Sequence, residues 1–475
     1  MNLLNELKNN NTIINTKGGE YFSTSYNANL DLFTKVSRFN YDDEIIDLFI
    51  KARVEDKSLA LANLLYLLDI RNGKGERRVF KIIFRYLCLN YKDDALIVLP
   101  FISKLGRYDY ILEGIDSLIE DEVISLIKKQ LNEDLNSDSV SLLGKWLPSL
   151  RCHNKNNLLA KRLVKLLGIS EKEYRNILKV LRDKINIVES KLTNCDYENI
   201  NYELVPSKAI LKYSEAFNIN DKERFTNYKS DVLNSKKSIN TKGLYCYEII
   251  RKLINSYNAD LEVLDALWKN QKDIDCGDSD TLVVADTSGS MGCYNYLPLS
   301  TSIGLAIYFA ERNKGLFKNS FITFSNKPVI QEIKGDTIYE RFISLKEINE
   351  SYTDIDKTFE LILDTLIKNN GSQFDLPKNI LIISDMEFDR GIYSKNSTNF
   401  EGWKKAFNSA GFDLPNIIFW NVAGYIKGLP VTSLTDNVSM ISGFSQNILE
   451  NLFTLENYNP INLMLDKLKV YLDLL

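Results

Sequence analysis

The sequence predicts an α + α/β protein, in which an all-helical N-terminal domain precedes a doubly wound parallel sheet of the Rossmann-like kind. Up to about residue 275, apolar residues recur at helical spacing in one segment after another. Beyond that point, short apolar runs alternate with amphipathic helical segments, as in a parallel sheet with helices on both faces. A polar, acidic stretch at 270–280 separates the two patterns, so we place the domains at 1–275 and 278–475.

The N-terminal domain is predicted to be a series of helices joined by short polar turns. The predicted helices cover residues 59–68, 79–89, 95–102, 111–119, 123–131, 158–167, 174–188, 209–217, 244–257 and 259–268. Serial amphipathic helices with short turns favour helix pairs that stack into a solenoid or a ring. No repeat of fixed length is evident, so the pattern does not indicate a tetratricopeptide array.

The C-terminal domain begins with a predicted buried strand, the apolar run from Thr281 to Ala285. Further strands are predicted at 320–324, 329–333, 380–383, 416–420 and 438–441. Helices are predicted at 297–312, 400–410 and 461–474, with a short helix that opens at Ser445. This alternation predicts that the strands form one sheet with their carboxyl ends at a common edge.

An Asp-x-Ser-x-Ser motif stands where the first of these strands ends. It places Asp286, Ser288 and Ser290 at the edge where open α/β sheets bind their ligands. Three hard oxygen donors with little formal charge suit Mg²⁺ or Mn²⁺, which keep some waters and leave room for an outside ligand. The motif therefore predicts a divalent-cation site.

Two later segments complete the pattern. Thr353 lies in a polar loop that opens into an amphipathic helix, and Asp385 ends the apolar run at 379–384. Together with the strand-one motif, these residues resemble the metal-dependent adhesion site of the von Willebrand A domain. In that family, the Asp-x-Ser-x-Ser, a Thr from a second loop and an Asp from a third surround one cation.

The resemblance implies a role for each matching residue. Ser288 and Ser290 would ligate the cation directly, Thr353 directly or through water, and Asp286 and Asp385 largely through waters. One coordination position would stay open for a carboxylate or another oxygen of a partner protein. Many family members carry Thr-Asp-Gly at the third loop, whereas this chain has Ser-Asp-Met at 384–386, which keeps the acid and changes the turn.

Composition excludes several other classes of protein. With one histidine, His153, the chain cannot build a zinc site from several histidines, and its six cysteines show no Cys-x-x-Cys spacing. Ser288 stands where a haloacid-dehalogenase phosphatase needs its second acid, and no P-loop motif is present. No secretory signal or membrane-length apolar run is evident, so we expect a cytoplasmic protein. Because an adhesion-type site binds a partner, we do not expect an enzyme.

Positive charge is concentrated in the second half of the helical domain. Residues 141–250 hold 20 Lys and Arg against 12 Asp and Glu, although the whole chain has a net charge of −4. Such clustering is typical of a nucleic-acid surface, and Tyr174 and Trp146 could stack on bases. A solvated helical face is the plainer alternative. The candidate RNA-binding residues are Lys161, Arg162, Lys165, Arg175 and Arg182.

The turn at 71–75, Arg-Asn-Gly-Lys-Gly, is open to two interpretations as well. Its glycines and basic side chains could cradle a phosphate. The turn is interpreted more simply as a tight connection between helices, whose glycines supply positive φ. In the same way, Trp146, Tyr108 and the Phe-Trp pair at 419–420 are interpreted as packing residues.

The chain as a whole resembles an uncharacterised family that joins an N-terminal helical region to a C-terminal A domain. The matching motifs include Asp-Ile-Arg-Asn-Gly-Lys-Gly-Glu at 69–76, Lys-Trp-Leu-Pro-Ser at 145–149, Ala-Asp-Thr-Ser-Gly-Ser-Met at 285–291 and Ser-Asp-Met-Glu-Phe at 384–388. The architecture is also similar to that of Ro ribonucleoproteins, which pair a helical ring with an A domain and bind small noncoding RNAs. That likeness implies an RNA partner by analogy of fold alone.

Taken together, these patterns predict a divalent-metal-dependent binding protein that recognises an acidic partner protein and holds RNA on its basic helices. A metal-dependent hydrolase acting on nucleic acid is one alternative, and it would need further carboxylates, for which Asp354, Glu387 and Asp389 are candidates. A structural assembly component is another, and it would require self-association and no RNA.

Overall fold

A long helical region precedes the sheet in the computed structural model. The structure describes residues 12–14, 18–150, 155–241, 243–256, 258–273, 280–324, 328–345, 354–388, 399–423, 428–449 and 458–475. The helices before the sheet are α1 (Ala28–Lys35), α2 (Asp42–Glu55), α3 (Lys57–Leu68), α4 (Arg77–Asn90), α5 (Lys92–Val98), α6 (Ile102–Leu105), α7 (Glu120–Leu135), α8 (Leu143–Trp146), α9 (Lys155–Leu167), α10 (Glu171–Ile185), α11 (Val188–Thr193), α12 (Ser207–Asn220), α13 (Lys222–Leu233), α14 (Cys246–Asn255) and α15 (Leu261–Lys269).

Side-chain caps and left-handed residues define where several of these helices begin and end. The Asp56 carboxylate accepts the Leu59 N–H at the start of α3, and the Ser170 hydroxyl accepts the Glu173 N–H at the start of α10. At its other end, α10 stops at Asn186, whose φ of 55° lies in the left-handed region. The chain thus carries local start and stop signals in addition to its apolar spacing.

The prediction that the N-terminal region is all helical is wrong in one respect. A small antiparallel hairpin, formed by β1 (Thr12–Ile14) and β2 (Glu20–Phe22), precedes the first helix. Each strand is three residues long, which is too short for a period of two to be visible in the sequence. In addition, a 3₁₀ helix at Tyr108–Gly114 stands in place of the α-helix expected at 111–119.

The C-terminal region forms a six-stranded sheet. Its strands are β3 (Thr281–Asp286), β4 (Ser320–Phe324), β5 (Val329–Glu332), β6 (Asn379–Ser384), β7 (Asn416–Asn421) and β8 (Val438–Ser442), in the spatial order β5-β4-β3-β6-β7-β8. Every residue of β3, β6 and β8 is buried, as in a sheet that is covered on both faces.

The sheet is mostly parallel, so the prediction of a wholly parallel sheet needs a correction at one edge. β5 pairs antiparallel with β4, and all other pairs in this sheet are parallel. Only residues 325–328 connect β4 to β5, and a connection that short cannot make the crossover that a parallel pair requires. The strand order reverses between β3 and β6, which opens a crevice beyond their carboxyl ends.

Further helices pack around the sheet and carry its loops. They are α16 (Cys293–Arg312), α17 (Ile338–Ile343), α18 (Asp356–Lys368), α19 (Asn399–Ser409) and α20 (Pro460–Leu472). The start of α16 is irregular, because Tyr294, Asn295 and Tyr296 all have positive φ before the regular helix continues through Pro298.

The helical region and the sheet region pack against each other through elements far apart in sequence. The C-terminal helix α20 packs on α3, where the Tyr471 hydroxyl donates to Asp69 at 3.0 Å. Helix α14 packs along α16. The hairpin strand β2 pairs with the loop before β8, since Phe22 and Leu429 exchange both backbone hydrogen bonds. The two regions are therefore joined by an extensive buried interface.

The sequence predicts no membrane span and no disulfide framework. Among the described residues, no helix has both the length and the apolar character that crossing a bilayer requires. Cys88, Cys195, Cys246 and Cys293 are free thiols, and the remaining two cysteines lie outside the described ranges.

Candidate metal centre

The loop after β3 carries the first three predicted ligands. Asp286 is the last residue of the strand and is completely buried, and its Oδ1 accepts the backbone N–H of Ser288 at 2.9 Å. The chain then turns through a short 3₁₀ helix, Gly289–Gly292, so that the hydroxyl oxygens of Ser288 and Ser290 lie 3.0 Å apart. Ser288 is buried and Ser290 is exposed, so oxygen donors lead from a buried carboxylate to the surface.

A serine from the neighbouring strand joins this loop to the next one. The Ser384 hydroxyl, at the end of β6, donates to Oδ2 of Asp286 at 2.7 Å and accepts the N–H of Met386 at 3.0 Å. In the sequence, Ser384 stands out only as a departure from the Thr-Asp-Gly pattern. In the fold it is the side chain that ties the two acidic loops together.

Asp385 follows directly and is also buried. Its Oδ1 accepts the N–H of Glu387 at 3.0 Å, which fixes the orientation of the carboxylate. The fold thus brings Asp286, Ser288, Ser290 and Asp385 to the carboxyl ends of β3 and β6, where the strand order reverses.

The two carboxylates make this edge strongly electronegative. Burial raises the pKa of the Asp286 carboxyl well above its usual range, and the nearby Asp385 raises it further. Hydrogen bonds from Ser288 and Ser384 act in the opposite direction. Among the described residues, no lysine or arginine is one of the main groups that shift the pKa of this carboxyl.

These residues fit a hard divalent cation. Two carboxylates supply charge, two hydroxyls supply neutral oxygen donors, and Mg²⁺ and Mn²⁺ favour such oxygen sets. Across the described residues, no group of three or more His, Cys, Asp or Glu side chains is placed to hold a metal. A site built here would therefore depend on its serine hydroxyls.

The fifth predicted ligand, Thr353, lies outside the described residues, as does Asp389. Of the other acids considered for a hydrolase, Asp354 faces Lys357 at 3.9 Å and Glu387 contributes its backbone N–H to Asp385.

The basic helices α9 and α10 use three of the five candidate RNA-binding residues in contacts within the protein. Arg162 pairs with Asp116 and Glu120, and Arg175 lies 3.7 Å from Glu171. Arg182 donates to Gly144 O, Ser149 Oγ and Leu147 O, so it holds the loop around α8. The remaining two candidates, Lys161 and Lys165, are exposed on one face of α9.

The aromatic residues beside this face are packing residues. Tyr174 is fully buried and donates to Pro148 O at 2.8 Å. Trp146 lies under the Arg107 guanidinium, 3.5 Å from its ring centroid. This arrangement agrees with the interpretation of Trp146 as a packing residue, and the burial of Tyr174 leaves its ring no face on which a base could stack.

The turn at 71–75 is a structural connection that reaches the sheet. Lys74 is fully buried, and its ammonium donates to Phe33 O and, at 2.7 Å, to Ser442 Oγ at the end of β8. Gly75 has a φ of 63°, and a Cβ at Gly73 would lie 2.1 Å from Tyr66 O. The glycines are needed for conformation and close approach, and the lysine does not face solvent.

Comparison with known families places the chain near domains of unknown function. Residues 280–462 match the model of one such domain, DUF7788, and residues 168–283 match that of another, DUF2828. The match to these domains agrees with a likeness to an uncharacterised family, and neither description mentions an adhesion site.

The comparisons with whole proteins extend over almost the entire chain. An uncharacterized protein of Acanthamoeba polyphaga mimivirus is 28% identical over 96% of this chain and 86% of its own length. Among solved structures, the Ro (RSR) protein of Deinococcus radiodurans aligns with a TM-score of 0.40 and 11% identity, covering 94% of this chain and 99% of that one. A similarity of that size does not establish a common fold.

Proposed function

We propose that this protein is a divalent-cation-dependent binding protein, built as a helical region that carries a von Willebrand A-like domain. Asp286, Ser288, Ser290 and Asp385 would hold one Mg²⁺ or Mn²⁺, together with Thr353, which the resemblance to the A domain adds to the set. The cation would offer an open position to an acidic side chain of a partner protein. The single observation that carries the proposal is the pair of buried carboxylates linked by serine hydroxyls at the switch point of the sheet.

The chemistry of the donor set favours binding over hydrolysis. Two-metal hydrolases surround their ions with several carboxylates, which bridge the metals about 4 Å apart. Here the described donors are two acids and two hydroxyls, enough for one divalent ion. The two carboxylates formally balance such an ion, but the resemblance implies that they act through waters and that the direct donors are neutral hydroxyls. A further anionic oxygen can then bind the ion directly, and this is the basis for an acidic partner.

Calorimetric titration with Mn²⁺ tests the proposal directly. We expect saturable binding of one ion to the full chain, and at least a ten-fold loss of affinity in Asp385→Asn and in the double variant Ser288→Ala/Ser290→Ala. The matched control is Asp364→Asn, which removes an exposed carboxylate on α18 without touching the site. Equal Mn²⁺ affinity in the wild type and the site variants would refute the metal centre.

RNA binding is a second candidate function, and exposed basic faces on two adjacent helices favour it. Lys161 and Lys165 on α9, and Lys172 and Lys179 on α10, are all exposed and spaced to share a helix face. These four lysines are better test residues than Arg162 and Arg182, whose contacts support the fold itself. A ring-like arrangement of the helices, as in Ro-like proteins, would present them along one surface.

Fluorescence anisotropy with a labelled structured RNA at two salt concentrations tests this second candidate. Changing the four lysines to Gln should weaken binding and reduce its dependence on salt, because fewer counterions are released from the RNA. The comparison variant carries the same change at Lys128 on α7 and at Lys368 on α18, which are also exposed. Unchanged affinity in the four-lysine variant would remove α9 and α10 from consideration.

A further inference from the structure

The loop that carries Asp385 has an unusual backbone. Met386 has a φ of 64°, in the left-handed region that residues with a Cβ adopt rarely and at a cost. Its side chain is buried, with 2% of its surface exposed. Such a conformation persists only where the surrounding structure holds it.

Tyr21, from the N-terminal hairpin, supplies two contacts that hold this loop. Its hydroxyl donates to Met386 O at 2.8 Å and accepts the N–H of Phe388 at 2.9 Å. Tyr21 is buried, and it lies 365 residues away from Met386 in the sequence. One hydroxyl therefore grips the backbone on both sides of Glu387.

The hydrogen bonds of Tyr21 act on the predicted ligand Asp385 through a single peptide group. Met386 O and the Glu387 N–H belong to the same planar peptide group, so fixing one fixes the other. That N–H is the donor to Oδ1 of Asp385. The Tyr21 hydroxyl thus sets the orientation of the group that orients the carboxylate.

The hairpin is itself anchored where it delivers Tyr21. Phe22 N donates to Leu429 O at 2.9 Å, and Leu429 N donates to Phe22 O at 2.7 Å. A Cβ at Gly428 would lie 2.4 Å from the Tyr21 Cβ, so only a glycine allows the hairpin to come this close.

We propose that Tyr21 is a positioning residue for the metal centre: its hydroxyl holds Met386 in the left-handed conformation and so presets the Asp385 carboxylate for the cation. The inference rests on the proposed function, since it assigns a role within that site. It also accounts for Met386 at the position where many von Willebrand A domains have glycine, because the hairpin supplies the contacts that stabilise the strained turn.

The test compares Mn²⁺ affinity in four forms of the full chain. Tyr21→Phe keeps the ring and removes the hydroxyl, and we expect it to weaken Mn²⁺ binding about ten-fold, the scale of one lost hydrogen bond to an oriented group. The double variant Tyr21→Phe/Met386→Gly should recover most of that loss, because glycine adopts positive φ without the clamp. Tyr110→Phe is the matched control, since Tyr110 is a buried tyrosine of the helical region whose hydroxyl makes no hydrogen bond to any described residue.

Rescue by glycine separates positioning from simple support of the fold. If the hydroxyl only anchors the hairpin, its removal should lower the unfolding temperature and leave the Mn²⁺ affinity of the folded protein unchanged. Equal affinity in Tyr21→Phe and wild type, with binding lost in Asp385→Asn, would overturn the role of Tyr21 and leave the metal centre standing. No Mn²⁺ binding by the wild type would overturn both.

A second pair of variants covers the case in which Tyr21→Phe does not fold. With Tyr21 intact, Met386→Val places a β-branched residue at positive φ and should weaken Mn²⁺ binding, whereas Met386→Gly should bind like the wild type. If both bind alike, the conformation at Met386 does not govern the site, and the inference is wrong.

Discussion

At the scale of single residues, Asp286 and Lys74 are both fully buried and are held by neutral groups. Ser288 and Ser384 donate to the acid, and Phe33 O and Ser442 accept from the lysine. Neutral partners satisfy hydrogen bonds without balancing charge, so each side chain is costly to bury. A buried acid therefore lies at the end of β3, and a buried base lies near the end of β8.

The first prediction concerns Asp286. Asp286→Asn removes the charge and keeps the size of the side chain, so the metal-free protein should become more stable by about 1 kcal/mol, since burying an amide costs less than burying an uncompensated charge. Wild type should gain stability with Mg²⁺ by mass action, about 2.7 kcal/mol at a hundred-fold excess over the dissociation constant, and the variant should gain none. Thermal unfolding in EDTA and in Mg²⁺ measures both effects.

Asp364→Asn provides the comparison, because Asp364 is an exposed acid on α18 and should change neither quantity. A metal-free Asp286→Asn protein that is less stable than wild type would contradict a net cost of burying this carboxylate.

The second prediction concerns pH. Burial lowers the pKa of Lys74 to about 7, with Glu76 opposing the shift. Between pH 7 and the ordinary lysine pKa near 10.4, the folded protein holds Lys74 neutral while the unfolded chain protonates it, so unfolding takes up a proton. Stability from this group should therefore rise with pH across that range, by up to about 1.4 kcal/mol per pH unit.

Lys74→Met should remove this dependence. In urea titrations between pH 7 and pH 10, we expect the unfolding free energy of wild type to rise relative to that of the variant as the pH increases. Lys128→Met, at an exposed position on α7, should give a difference that is flat with pH. A flat difference for Lys74→Met would show that the buried ammonium is not titrating.

How far the sequence predicts single residues depends on how local their partners are. Asp286, Ser288 and Ser290 follow one strand directly, and the end of a strand fixes where its next residues lie. Tyr21 has no such signal, because it belongs to a three-residue strand and acts on a loop 365 residues away. Its role comes from tertiary packing, which one sequence does not encode locally.

At the scale of elements, the turn between α3 and α4 is tightly constrained. Glu76 N donates to Leu67 O at 2.8 Å and Lys74 N to Tyr66 O at 3.0 Å, so the chain folds back over the end of α3. The turn then presents Lys74 to β8 and Arg71 O to Asn447. One short connection thus shapes both a helix pair and an interface with the sheet.

The third prediction tests that constraint. Gly73→Ala places a Cβ 2.1 Å from Tyr66 O, a backbone atom that cannot move away alone. We expect a loss of about 1–3 kcal/mol in unfolding free energy, the usual range for steric insertion into a packed site. Gly243→Ala is the control, because a Cβ there meets nothing within 4 Å. Equal stability of the two variants, measured in urea, would contradict the packing of this turn.

The sequence predicts best those elements that have a regular apolar pattern or a polar residue marking where they end. β3 and β6 are continuous apolar runs that end in a polar residue, and their positions match the prediction closely. Helices α1 and α2 carry caps and acidic first turns, but neither presents a clean apolar stripe, and both were missed. The antiparallel edge of the sheet follows from connection length, which is visible only once both strands are identified.

At the scale of the whole molecule, the helical and sheet regions share their hydrophobic core. Buried residues of both regions belong to one continuous cluster, and Gln446 bonds to Gln271 and to the N–H of Cys246 across the interface. The separation at 270–280 is clear in the sequence, yet elements from either side of it are packed together in space. The boundary at 270–280 in the sequence therefore does not correspond to a boundary in the hydrophobic core.

The fourth prediction follows from that shared core. Full-length protein should unfold in one calorimetric transition, with equal calorimetric and van't Hoff enthalpies, because neither region keeps its core intact without the other. The fragment 278–475 should lack this cooperative transition, since Leu463 and Tyr471 of α20 would lose their cover. Two separate transitions in the full chain, or a fragment that melts as sharply, would show independent domains.

The pairing of Phe22 with Leu429 has a consequence for how the protein is made. The hairpin is synthesised before the backbone groups that complete its edge, which emerge from the ribosome about 400 residues later. At translation speeds of about 5–20 residues per second, the nascent hairpin waits roughly 20–80 s for its partner. During that interval, Tyr21 and its neighbours are exposed to chaperones and proteases, so a segment that is translated well before its partner is among the last to reach its final contacts.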